Sequence, residues 1–143
     1  MSNVQTTDGK MDSKAFHLGL VQGIINRMAG NSFLLKGWSV TLTAAILTLT
    51  PDALNKHYSV VIYLPIILFW LLDAYYFYNE KLFRNLYDLI VEDASGIIIF
   101  SLKPDLAKSK TGCLGKHFFS WSVLMFHGLI ALLVLVSILI RTP

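Results

Sequence analysis

Three long apolar stretches separated by polar connections set the character of this chain. A helix needs about 20 mostly apolar residues to cross roughly 30 Å of hydrocarbon. The stretches at about 33–50, 58–78 and 118–140 approach that length. Phe118 to Ile140 holds no side chain with a fixed charge at neutral pH and ends at Arg141. The stretch from Tyr58 to Tyr78 is interrupted only by Asp73, and Phe33 to Thr50 carries Lys36 near its start and stops at Pro51-Asp52, where proline disfavours further helix. The pattern predicts an all-α membrane protein with three transmembrane helices: a single membrane domain over 14–143 preceded by a disordered cytosolic tail at 1–13.

Between the spans the period stays helical before it is lost. No strong breaker lies between Lys14 and Pro51, which predicts one long N-terminal helix; the alternative is a helix end at Ala29-Gly30-Asn31 with Ser32 as a new N-cap. Asn79 to Asp93 continues the second helix, with Leu82, Phe83, Leu86, Leu89 and Ile90 on one side and charges interleaved. Ile97-Ile98-Ile99-Phe100, between Gly96 and Pro104, has strand-like composition. The connection 79–117 is thus expected to hold a small helix and strand element.

Two stripes mark the first helix. Gly23, Gly30, Gly37 and Ala44 recur every seven residues and Gly19 precedes them by four, a small-residue seam that lets another helix backbone approach closely. About a third of a turn away, Lys36, Ser39, Thr43 and Thr50 form a hydrophilic line, read either as hydroxyls bonded to their own backbone or, in a homo-oligomer, as the lining of a narrow pore.

Ionisable residues within the spans narrow the choice of chemistry, because a charge in hydrocarbon is unfavourable unless paired, hydrated or neutralised. Asp73 lies about 7 to 8 Å inside its span at about 1.5 Å per residue, near the level expected for Lys36. The pair reads as an interhelical ion pair, a pore-mouth charge or a proton relay. His127 falls near the middle of the third span, as a neutral imidazole bonded to backbone or hydroxyl, or as a pH gate. Pro65 removes a backbone donor from the second span.

Charge then sets orientation. All lysines and arginines except Lys56 and Arg141 fall before or at the start of the first span, or between the second and third. The positive-inside rule places both segments in the cytosol and the C-terminus outside. The hydrophobic fraction of 55% and mean hydropathy of +0.58 fit residence in a bilayer, and the polar start of the chain does not read as a cleavable signal. A lone Cys113, with no CxxC or Cys/His cluster, gives no support to an intramolecular disulfide or a zinc site. Nor does the sequence present a nucleophile with its base, paired carboxylates or a metal constellation, so no enzyme activity, cofactor or catalytic residue is expected.

The segment from Lys103 to Lys116 is basic, with Asp105 as its one acid. It suits anionic lipid head groups, and Arg27, Lys103, Lys108, Lys110 and Lys116 are the candidates for holding lipid or a phosphate-bearing ligand. Gly112-Cys113-Leu114-Gly115-Lys116 lacks the glycine spacing and the terminal Lys-Ser/Thr pair of a P-loop.

Gln22-Gly23-Ile24-Ile25-Asn26-Arg27-Met28-Ala29, Asn31-Ser32-Phe33, Lys36-Gly37-Trp38, Phe69-Trp70-Leu71-Leu72-Asp73-Ala74-Tyr75-Tyr76 and Glu80-Lys81-Leu82-Phe83-Arg84 resemble a group of small bacterial multi-pass membrane proteins. Proteins of similar size and layout include predicted pore-forming antiphage effectors, the SLATT-type proteins and the membrane component of Hailong defence. The resemblance covers roughly Leu20 to Asp88. It implies a toxic homo-oligomeric channel or membrane-disrupting effector of the bacterial inner membrane, controlled by a nucleotide or oligonucleotide made by a partner enzyme. The alternative is a non-conducting scaffold or accessory subunit that grips a partner through the glycine seam.

Overall fold

The computed structural model describes residues 2–49, 59–93 and 101–141. They form helix α1 (Ser2–Leu49), helix α2 (Ser59–Glu92), a 3-10 turn (Pro104–Ala107), two short helices, α3 (Lys108–Thr111) and α4 (Leu114–Phe118), and helix α5 (Trp121–Arg141). Three segments are long and apolar enough to cross a membrane: Met11–Leu49, Val60–Glu92 and Trp121–Ile140. No strand occurs among the described residues; Ile97 to Phe100 and Thr50 lie outside them.

Helix α1 is longer than expected at one end and unbroken in the middle. It begins at Ser2 rather than near Lys14, since no proline interrupts the i to i−4 ladder through the segment expected as a tail. It also runs through Ala29 to Ser32 without ending, because Ser32 gives its hydroxyl to another helix instead of capping a new one. The two stripes on α1 differ in exposure. Ser39 and Thr43 are buried, whereas Gly19, Gly23, Gly30, Gly37 and Ala44 are exposed. At about 100° per residue the seam and the polar line are about a third of a turn apart, enough for one to be buried while the other is exposed.

The chain divides into two compact units. The first comprises residues 1–29 and 78–112. Its core joins Val21 and Ile25 of α1 to Leu82, Leu86 and Ile90 of α2 and to Ala107. The spacing of four along both helices keeps these side chains on one face, while Lys81, Arg84, Asp88 and Glu92 stay exposed. Burying each large aliphatic side chain contributes about 1.5–3 kcal/mol where water is the alternative. Polar contacts close the ends of this unit. Lys14 Nζ donates to the carbonyls of Val91 at 3.0 Å and Asp93 at 3.2 Å, placing a cation where the last turn of α2 leaves carbonyls unbonded. Buried His17 has Nε2 at 3.2 Å from the Ser101 carbonyl. Asn85 Nδ2 donates to Thr111 Oγ1 at 2.8 Å, and that hydroxyl donates to the Ala107 carbonyl at 2.9 Å.

The second unit comprises residues 30–77 and 113–143. Ile62 and Ile66 of α2 pack with Val134 and Ile138 of α5, with Ile46 and Leu47 of α1 against them. The outward faces are apolar as well: Phe33, Leu34, Trp38, Leu64, Leu133 and Leu139 are exposed. Apolar outside and polar inside is the arrangement hydrocarbon favours. Trp70 Nε1 donates to the Phe118 carbonyl at 3.0 Å, and its ring meets Phe119 edge-on at 6.5 Å, tying α2 to the turn that precedes α5.

Candidate functional site

The buried stripe of α1 changes chemistry along its length. His17, Val21 and Ile25 lie in the first unit, and Ser32, Ser39 and Thr43 continue the line in the second. Ser32 and Lys36, four residues apart on the same face, meet Asp73, the one acid of the apolar stretch 58–78. Asp73 Oδ1 accepts from Ser32 Oγ at 2.5 Å and from Lys36 Nζ at 2.8 Å. Oδ2 lies 2.7 Å from Lys36 Nζ and 3.3 Å from His127 Nε2, and Lys36 also donates to Ser32 Oγ at 2.9 Å. Helices α1, α2 and α5 thus each supply part of one ionic cluster.

Its members differ in access. The Asp73 and His127 side chains are 0% exposed and that of Lys36 is 19% exposed. The carboxylate is the fixed centre, held by two elements that donate to it, and the ammonium stands at the accessible edge. Removing a charge from water is unfavourable by several kcal/mol per ion, at about the scale repaid only by close, multiply bonded partners; the contacts around Asp73 supply those partners. The ring of Phe126 stands edge-on to His127 at 5.3 Å. Nδ1 of His127 and Oγ of Ser39 are buried without a hydrogen-bond partner among the described residues.

Farther along α1, Thr43 donates to the Ser39 carbonyl at 2.7 Å. With Val40, Leu47, Phe126, Ile130 and Ser137 it lines a cleft of about 360 Å³. The polar positions therefore face the interior of a single chain. Ser39 and Thr43, expected on the polar stripe, are buried within the single chain, and Lys36 is partly exposed at its edge. Lys36 and Asp73, matched on the sequence by depth alone, are in contact. His127 was expected to bond backbone or hydroxyl; its partner is the Asp73 carboxylate.

The basic residues are spread over both units. Lys108 Nζ is 2.5 Å from Asp105 Oδ1 and Lys110 Nζ is 3.3 Å from Glu92 Oε2, while Arg27, Lys103 and Lys116 are exposed. Arg27, Lys103, Lys108 and Lys110 belong to the first unit and Lys116 to the second. The hydrogen bond and charge of Lys108 hold the Asp105 carboxyl below its usual range, and Asp105 in turn raises Lys108. Two of the lysines expected to meet a phosphate are thus already engaged by acids. Among the described residues no group of His, Cys, Asp and Glu is placed to hold a metal ion.

Ser32 and the His127 link are the parts sequence reasoning missed. The signal for Ser32 was its position four residues before Lys36, on the face continued by Ser39 and Thr43. Comparison with protein-family models, curated proteins and solved structures found no match. The likeness to small bacterial effectors therefore rests on the quoted residues alone.

Proposed function

We propose that the chain is a membrane channel whose polar path runs through the interior of the α1, α2 and α5 bundle. The observation that carries this reading is the Ser32, Lys36, Asp73 and His127 cluster, continued by Ser39 and Thr43 and enclosed by apolar helix faces. Packing three helices in lipid does not require such a cluster. Apolar residues of similar volume in place of a buried ion pair are often neutral or stabilising, and ionisable groups within spans mark ion or proton pathways by default. The lysine and arginine distribution supports a cytosolic N-terminus and an outward C-terminus, and the sequence likeness supports a bacterial inner membrane and a role as an effector in antiphage defence. The exposed basic residues Arg27 and Lys103 of the first unit and, separately, Lys116 of the second are each candidates to meet a nucleotide-derived ligand or anionic lipid.

A second reading, the non-conducting scaffold, is favoured by the glycine face. Gly19, Gly23, Gly30 and Gly37 are exposed, and a Cβ added at any of them meets nothing within 4 Å, so this face is open to a helix of another copy or another protein. The two readings separate in cells carrying a membrane-potential dye. The channel predicts depolarisation on expression, abolished by the double replacement of Lys36 by Met and Asp73 by Leu. Unchanged potential, with purified protein leaving liposomes sealed to small ions, refutes conduction. Tags on the two termini reached from the same side of intact cells refute the orientation.

A further inference from the structure

We propose that the ion this path carries is the proton, and that His127 and Asp73 hand it from one to the other. The inference rests on the channel reading above and adds the identity of the permeant. Three features of the cluster point to it. First, the carboxylate is already occupied by the Lys36 ammonium at 2.7 Å, so a metal cation at Asp73 would have to displace a tethered charge, whereas a proton needs only a hydrogen-bonding chain. Second, Asp73 and His127 are fully buried against one another, leaving no shell in which an inorganic ion keeps its water. Third, the imidazole presents opposite nitrogens to different surroundings: Nε2 lies 3.3 Å from Asp73 Oδ2, and Nδ1 is buried with no partner among the described residues.

The charged and titratable groups bonded into the cluster are Lys36 from α1 and Asp73 from α2, with the Ser32 hydroxyl beside them; the ring next to His127 on α5 is that of Phe126. Tyr63 of α2 lies one turn away, with its hydroxyl 3.5 Å from the Ala131 carbonyl. With Asp73 ionised against Lys36, Nε2 of His127 carries the hydrogen and Nδ1 the lone pair. A proton arriving at Nδ1 forms the imidazolium. Its Nε2–H bond then breaks as an O–H bond forms on Asp73 Oδ2, leaving a neutral imidazole with its hydrogen on Nδ1. The carboxylic acid releases that proton towards the Lys36 side, the accessible edge of the cluster, and rotation of the ring turns the Nδ1–H to Asp73 and the Nε2 lone pair away from it, so that the next proton enters at Nε2 and a second transfer and rotation restore the starting tautomer. One proton enters, one leaves, and both residues regain their starting charge.

The test uses the full-length protein in liposomes loaded with a pH-sensitive dye, with flux driven by a potassium diffusion potential and anion and cation permeability measured in parallel. Proton flux is expected for the wild type, with a loss of tenfold or more in His127→Gln and in Asp73→Asn. Flux of inorganic ions with no proton flux, or His127→Gln conducting protons like the wild type, overturns the proposal and leaves the channel reading in place. Absence of any flux overturns both. A readout independent of how the variants fold comes from nitrogen NMR of the wild-type histidines: His127 is expected with its hydrogen on Nε2 at neutral pH. A hydrogen resident on Nδ1 there overturns the assignment of donor and acceptor.

Discussion

Replacing Lys36 by Met is the sharpest perturbation of the cluster, because the two members of its ion pair, Lys36 and Asp73, are unequally exposed. The substitution deletes both ammonium contacts to Asp73, at 2.7 and 2.8 Å. It leaves a fully buried carboxylate with only Ser32 and His127 as partners. Breaking a buried pair in this way is destabilising by about 3–5 kcal/mol, because the remaining charge is left uncompensated. The reverse change, Asp73→Leu, frees an ammonium that is already 19% exposed and whose flexible stem lets it swing towards water, so the expected loss is smaller, about 1–2 kcal/mol. With both residues apolar no charge is left unpaired, but Ser32 and His127 lose the Asp73 carboxylate as they do in Asp73→Leu, so the double variant is expected to be destabilised by about 1 kcal/mol, less than either single change. Reversible unfolding in mixed micelles, followed by tryptophan fluorescence, measures all three. The ordering Lys36→Met worst, Asp73→Leu intermediate and the double variant least affected is the prediction. If Lys36→Met is no worse than Asp73→Leu, or if the double variant is the least stable, the carboxylate is not the fixed centre of the site and the reasoning fails.

Other consequences follow from contacts away from the cluster. Lys14→Met removes the cation bonded to the Val91 and Asp93 carbonyls and should destabilise the end of α2 by about 0.5–1.5 kcal/mol; hydrogen exchange of residues 89–93 is then several-fold faster, and unchanged exchange speaks against the contact. Asp105 is held below the usual carboxylate range by Lys108, so the stabilising interaction is present above that range and is lost as pH falls through the depressed value of the folded state. NMR titration should find a low midpoint for Asp105 that returns to the ordinary range in Lys108→Met; equal midpoints in the two proteins refute it. Gly30→Leu meets open space and replaces a poor helix former, so the single chain should keep or gain stability, by up to about 1 kcal/mol. Cross-linking in the membrane should show assembly through the seam weakened by the same change, and undiminished cross-linking rules the seam out as the contact.

The long helices were legible because the membrane and the α-helix both impose one-dimensional signals. Apolar length placed spans at about 33–50, 58–78 and 118–140, each overlapping one of the apolar helices Met11–Leu49, Val60–Glu92 and Trp121–Ile140, and the spacing of Leu82, Leu86 and Ile90 located the buried face beyond the second apolar stretch. The facing of the α1 stripes was not legible. Small residues and hydroxyls both suit close helix packing in lipid, so composition alone does not say which stripe the chain turns towards itself. The deciding fact is Asp73, which needs donors: Ser32 and Lys36 supply them, and their face drags Ser39 and Thr43 inward with them.

The place of His127 shows how a small error in a helix start conceals a site. Counted from Phe118, the residue lies about 13 Å along the span, near mid-membrane; counted from Trp121, where α5 begins, it lies about 9 Å along, at about 1.5 Å per residue. The second figure brings it close to the depth expected of Asp73, and the shift comes from a local feature. The last turn of α4 closes at Phe118, the Ser120 amide bonds back to the His117 carbonyl, and Trp70 fixes the same turn through the Phe118 carbonyl. Two apolar aromatics that look like the first turn of a span are therefore part of the connection before it. The histidine that seemed isolated in hydrocarbon is the third helix's contribution to a carboxylate already bonded by the first, which is why a search for paired ionisable residues by sequence depth finds Lys36 and passes over His127.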